Sequence, residues 1–390
     1  MTTVTRDSKA LLDRTLETAA GVLDAGRIAA ARRRQADVLA WRDSDYLPIL
    51  YGVRCEAVAE LPDFDWAEQF ADPAASLYMQ MKDVIVAASG DGDTVPSVRA
   101  DTGVVNGPSV LGAPFIVPSH TKPVCNGHVP RDELAAFEVP DDIRPLGVIP
   151  TMVEHTQHHL AALRSAGLAD LVPVRHCDTQ GPFDIAAQAR GHDDIFLDMY
   201  VDPEFVHSLL LKSLDIYVKM NVLCKSLGGH PLDSGPANEY WMDPGSVRLC
   251  DDSGILMSAA MYRQFCADYV GRAFEPFAGG WLHYCGGVSE GGRPEGLHLH
   301  EVYCSIDGLR GLNFTTGGDW FAEVKKVIDR KVAFLGQMPR GPDEPLEEYF
   351  RRVLALCPGR KGMILHAGPR PGEGERFLET WHAVQDEVFT

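Results

Sequence analysis

Eight short apolar runs constrain this chain more than any other feature. They span 47–53, 95–99, 171–176, 246–250, 280–284, 308–314, 332–338 and 363–366. Each is ended by Gly, Pro, Asp or a polar cluster, which is how short buried strands end. Helical patterns lie between them, over 62–88, 203–227, 257–277, 320–331 and 346–356. Asp202-Pro203-Glu204 and Asp319 have the chemistry of helix starts. Strands that alternate with helices predict an α/β protein, here a (β/α)8 TIM barrel. No G-x-G-x-x-G turn follows the first strand, and no phosphate loop of the G-x-x-x-x-G-K type occurs, so the usual reasons for an open doubly wound sheet are missing. The first forty residues read as helix. The predicted organisation is therefore an N-terminal helical extension over 1–45 and a barrel over 46–390. The Pro- and Gly-rich segment 103–145 predicts long loops over the barrel mouth. A helix over 152–166 carries His155, His158 and His159, read as a solvated face because no H-E-x-x-H pattern is present.

Charge and cysteine use narrow the function classes. The formal net charge is −19, which repels nucleic acid and anionic membrane. No run approaches the roughly 18 to 20 apolar residues of a membrane helix. The nine cysteines are scattered, and the N-terminal M-T-T-V-T-R-D-S-K lacks an apolar signal core, which predicts free thiols in the cytoplasm.

In a barrel, chemistry sits where strands end. His283-Tyr284-Cys285 ends the fifth strand. Residues i and i+2 of an extended chain face one way, so His283 and Cys285 form a two-ligand half-site suited to zinc. Core packing is the competing reading of both. A third ligand is open among His366, Cys177, His176, Cys304 and Glu239; His366 is preferred because the eighth strand must close beside the pocket. Asp251 and Asp252 end the fourth strand, and only one of the two can face inward. Together with Asp101 they are the expected acid–base or ligand-orienting carboxylates. Arg42, Arg99, His176, Gln180 and Glu239 are the expected substrate contacts, with surface arginines as the plain alternative for the first two.

The order of these motifs resembles the uroporphyrinogen decarboxylase superfamily. T-Q-G-P-F-D-I-A-A-Q-A-R-G (179–191) with D-P-E-F-V-H-S-L-L (202–210) is similar to that family's third strand and helix. D-D-S-G-I-L-M-S-A-A-M-Y-R-Q-F (251–265) is similar to its fourth unit, and W-L-H-Y-C-G-G (281–287) resembles the H-x-C-G of its zinc-dependent methyltransferase branch. The resemblance covers about 95–378 and implies a (β/α)8 barrel. It further implies zinc on His283, Cys285 and a third ligand, and methyl transfer between a small substrate or thiol and cobalamin (a corrinoid) on a partner protein. A homodimer is the expected assembly. Where that branch implies a cysteine after the eighth strand, the chain reads H-A-G-P-R-P, with Pro369 in its place. Of the decarboxylases' R-x-x-x-R-Y-x-P motif the chain keeps Arg42, Tyr46 and Pro48, while Asp45 replaces the second arginine with two rather than three residues between it and Arg42. The resemblance thus makes Tyr46 a further substrate contact. It leaves a metal-free carboxy-lyase acting on a carboxylated substrate as the alternative activity.

Overall fold

The computed structural model describes residues 6–286 and 295–390. The first five residues of the polar N-terminus, and Gly287 at the end of the W-L-H-Y-C-G-G run, lie outside them.

Ten strands form in chain order: β1 (Ile49–Leu50), β2 (Phe115–Ile116), β3 (Val124–Cys125), β4 (Gly235–Ala237), β5 (Tyr240–Met242), β6 (Val247–Cys250), β7 (Gly280–His283), β8 (Leu309–Asn313), β9 (Ala333–Gln337) and β10 (Met363–His366). Six of them make one parallel sheet in the order β1-β10-β9-β8-β7-β6. Parallel neighbours need crossovers, and helices supply them, which buries both faces of the sheet. The result is a mixed α/β, barrel-like architecture. Among the described residues the ladder does not run all the way round.

The gap falls on the second and third expected strands. They survive as a single parallel bridge, Val98↔Val174, flanked by Val98 N–H donating to Pro173 O (3.1 Å) and Arg175 N–H donating to Val98 O (2.8 Å). Each segment contains a proline, Pro96 and Pro173. Proline has no N–H to give a ladder, so pairing cannot propagate past it. The chain then reaches β6 through a second bridge, Gln180↔Cys250.

Prolines set helix bounds too. The pattern over 62–88 divides into Trp66–Ala71 and Pro73–Ala88, because Asp72 caps Ala74 N–H and Pro73 takes the first helical position. The helix expected over 152–166 spans Ile149–Ser165, and its histidines are not solvated. His155 and His159 are buried, and His159 Nε2 lies 3.3 Å from Pro73 O. Their i, i+4 spacing puts both on the face that meets the neighbouring helix. In the N-terminal extension, Ser8–Val22 and Ala25–Leu39 are capped by Asp7 and Asp24. No helix among the described residues is long and apolar enough to cross a membrane.

The antiparallel pairs β2–β3 and β4–β5 stand apart from the sheet. The β4–β5 hairpin lies against its inner face. Ala237 O accepts from Trp281 Nε1 (2.8 Å), Tyr240 packs edge-on to Trp281 (4.9 Å), and Gln35 Oε1 accepts from Trp241 N–H (2.7 Å). This seating brings the hairpin turn, Asn238-Glu239, to the cavities described next.

Candidate functional site

Register builds the site. Cys250, His283 and Asn313 are direct partners across β6, β7 and β8, all at strand C-terminal ends. Two residues earlier, Arg248 stacks over Trp281 at 5.5 Å. Strand side chains repeat every second residue, so these two layers share one inward face.

The upper layer is closely bonded. Asn313 donates through Nδ2 to Leu335 O, which turns its Oδ1 towards His283. Oδ1 lies 2.5 Å from His283 Nδ1 and can only accept there. The proton therefore sits on Nδ1, and the Nε2 lone pair is free for a donor or a metal. Nε2 faces Cys285 Sγ at 3.1 Å. Cys250 Sγ donates to Asp252 Oδ2 (3.2 Å), and Cys285 N–H donates to Asp252 Oδ1 (2.6 Å). The ligand atoms of Cys250, Asp252 and His283 all lie within 4.8 Å of one another. Burial lowers the pKa of His283 and keeps its ring neutral, with Arg248 adding to the effect. Burial also pushes the Cys285 thiol up to about 11, helped by Asp252, and raises Cys250 well above its ordinary value. Two protonated thiols beside a carboxylate and a neutral imidazole are the donors a divalent cation would reorganise, releasing protons as it bound. Soft sulfur with imidazole nitrogen suits zinc.

Of the two adjacent carboxylates, Asp252 joins this group. Asp251 turns the other way and is bonded by Tyr262 Oη and by Tyr303 Oη (3.3 Å). The following loop is held by Asp184, which accepts from Asp252 N–H (2.9 Å) and Ser253 N–H (2.8 Å). Burial raises Asp251 to about 6, above its ordinary 3.8. Folding therefore favours the protonated form. The stability this contributes is full below about 3.8 and is lost as pH rises through about 6. Asp251→Asn, neutral throughout, should flatten that decline. Unfolding midpoints for both proteins across the window check it; equal slopes would refute the assignment.

A second cluster lines an adjoining cavity of about 500 Å³. Asp178 accepts from Arg99 (3.1 Å) and Arg248 (2.9 Å), while Asp101 accepts from Arg99 (3.1 Å) and Lys122 (2.8 Å). Burial opposes ionisation of Asp101, but Arg99 and Lys122 outweigh it and hold the carboxyl below its ordinary range. Gln180 Nε2 donates to Asp178 Oδ1 (3.2 Å), and Glu239 lines the same cavity. Arg248 joins the two clusters, since its Nη2 lies 3.4 Å from Cys250 Sγ.

Several expected residues stand apart. His366 is three strands from His283 in sheet order; its Nε2 bonds Tyr240 Oη (2.8 Å), and it is absent from the three-ligand group. His176 is buried, its Nδ1 donates to Cys177 O (2.8 Å), and burial holds its pKa near 3, so it is a neutral interior group. Arg42 and Tyr46 do not join the site. Arg42 pairs with Asp37 (2.8 Å) and Tyr46 stacks on His382 (3.9 Å). Both precede β1, and residues before a parallel strand lie at the end opposite its chemistry.

No family model matches this chain, and no curated protein matches it. Its fold is similar to that of a solved methyltransferase from Methanosarcina mazei. The TM-score is 0.63 over 92% of this chain and 99% of that one, at 15% identity. A likeness at that identity speaks for the fold.

Sequence reasoning did not single out Cys250, Arg248, Arg175 or Asn313, which the fold brings to the site. One signal was available. V-R-L-C (247–250) and P-V-R-H (173–176) each carry an arginine inside a mainly apolar run. A charge there needs a buried partner or a ligand.

Proposed function

We propose that this chain is a zinc-dependent methyltransferase on a (β/α)8 barrel of the uroporphyrinogen decarboxylase type. It would move a methyl group between a small substrate or thiol and a corrinoid carried by a partner protein. The observation that carries the reading is the convergence of Cys250, Asp252, His283 and Cys285 at two adjacent strand ends. The likeness in fold to a methyltransferase supports it.

Cys250, His283 and Cys285 would hold the zinc, with Asp252 as a fourth donor or as the base that receives a thiol proton. Cys250 is preferred to His366 as third ligand, because it shares the level of His283 while His366 is bonded to Tyr240. Bound zinc supplies Lewis acidity, which keeps a coordinated thiol deprotonated near neutral pH. The chain's own groups do the rest. Asn313 fixes the His283 tautomer. Asp252, bonded to Cys250 Sγ and to Cys285 N–H, orients both cysteines and can accept a proton at Oδ2. Arg248 sets a positive charge against the Cys250 sulfur and favours its thiolate. The arginine-lined cavity binds the substrate beside them.

The test is demethylation of free methylcobalamin, followed by its absorbance spectrum, with a panel of thiols and with untreated or chelated protein. Turnover that chelation removes and zinc restores supports the reading. Absence of any methyl transfer, together with decarboxylation of a carboxylated substrate at full rate after chelation, would establish the metal-free carboxy-lyase instead. The buried Arg99 and Arg248 favour that alternative more than any other feature.

Asn313→Leu isolates the orienting bond. Loss of such an outer partner typically weakens metal binding by about 10- to 100-fold. Competition with a chromogenic chelator measures it, and unchanged affinity would mean that the Asn313 bond does not set the tautomer.

A further inference from the structure

One of the cations that line the arginine-rich cavity makes no ion pair by contact. Arg99, Lys122 and Arg248 are each paired to Asp101 or Asp178. Arg175 is not. Among the described residues no carboxylate lies within ion-pair distance of it. Its Nη1 donates to the neutral Oδ1 of Asn238, and its Nε is buried without an acceptor. The surrounding backbone is fixed, with Arg175 N–H on Val98 O (2.8 Å) and Ser97 Oγ donating to Asn238 O (3.1 Å). Burial, with the Arg99 charge beside it, draws the pKa of Arg175 down to about 9. Glu239 opposes that shift without pairing with Arg175. A part-buried guanidinium with no carboxylate in contact is incompletely neutralised, and an anion with a planar carboxylate is its natural complement.

The space for that anion is present. Arg175 lines both the 500 Å³ cavity and a second one of about 550 Å³ that extends to His366. Glu239 and Asp83 line both as well, so a second negative charge on the ligand would be repelled. This favours a monoanion over a dianion. Arg248, which lines the same space, touches Cys250 Sγ at 3.4 Å.

We propose that Arg175 is an anion-binding residue that takes the carboxylate of a small monoanionic substrate, with Arg248 beside it and the rest of the molecule directed towards Cys250. Naming that carboxylate as the handle of the methyl-transfer substrate rests on the function proposed above; the subsite itself does not.

Propionate tests it, with propionamide as the uncharged control and sulfate as the dianion control, read as the shift in thermal midpoint of the whole chain. Wild type should shift saturably with propionate and not with propionamide or sulfate. Arg175→Gln should weaken that response by about ten-fold or more, the scale of one charge-assisted bond. Arg175→Lys keeps the charge without the fork and covers the case in which Arg175→Gln does not fold; it should bind propionate several-fold more weakly than wild type. Equal responses in wild type and variants, or none in wild type, would overturn the proposal, as would an equal response to propionamide. Each titration is run before and after chelation. Propionate binding that survives while methyl transfer is absent refutes the function and leaves the subsite standing. Methyl transfer without propionate binding refutes the subsite alone.

Discussion

His283→Ala should yield a folded chain that has lost both its bound metal and its turnover. Purified without added metal, the wild-type chain should carry about one zinc per molecule, as expected for a single set of N and S donors. The imidazole is the donor that the fold holds ready to bind, neutral and with its Nε2 lone pair free, through Asn313 Oδ1 at 2.5 Å from Nδ1. Its removal leaves two cysteines whose thiols burial holds protonated, and such thiols bind metal poorly. Turnover should fall on the order of 10³-fold, the equivalent of the several kcal/mol that a metal contributes to transition-state charge stabilisation. Cys285→Ala should behave in the same way. Cys250→Ser and His366→Ala distinguish the third ligand: the first should lower zinc content and the second should leave it unchanged. Elemental analysis of the four variants decides it. Zinc retained at wild-type content in His283→Ala would sink the metal assignment.

Trp281→Ala should cost about 3–5 kcal/mol of stability, the range for deleting a large buried aromatic. Trp281 is among the largest fully buried side chains, with 2% exposure. It packs against Tyr240, lies under the Arg248 guanidinium and donates from Nε1 to Ala237 O. Its loss leaves a cavity and an unpaired carbonyl, and it unpins the hairpin that carries Asn238 and Glu239 to the cavity wall. Trp281→Phe should lose about 1–2 kcal/mol, because packing is largely kept while the hydrogen bond is gone. Urea unfolding midpoints measure both. A loss below about 1 kcal/mol for the alanine variant would mean that the hairpin is held elsewhere.

Parts of this architecture were legible in the amino-acid order. The run at 363–366 coincides with β10, and the runs at 280–284 and 308–314 contain β7 and β8 with one or two residues to spare. Each is a stretch of apolar residues that are buried in the sheet. The two runs that do not form ladders contain Pro96 and Pro173, a local signal that apolar content overshadowed. The histidines of Ile149–Ser165 looked like a solvent face because their i, i+4 spacing does not say which neighbour covers it.

The site divides along the same line. His283 and Cys285 could be paired from sequence, because two-residue periodicity is a property of the extended chain itself. Asp252 could be separated from Asp251 for the same reason. Cys250 could not be joined to His283, which is 33 positions away, without the register that sets β6 against β7. Arg42 and His366 looked suitable by residue type. Only the fold shows that Arg42 is paired with Asp37 and that His366 is turned to Tyr240. Sequence by itself determined the alternation of strands and helices and the chemistry available at each strand end, because both depend on neighbours in the chain. Which strand ends meet, which second thiol joins the His283–Cys285 pair and which arginine is left without a carboxylate in contact were decided by tertiary structure, because contacts between distant segments depend on register and packing that no local pattern encodes.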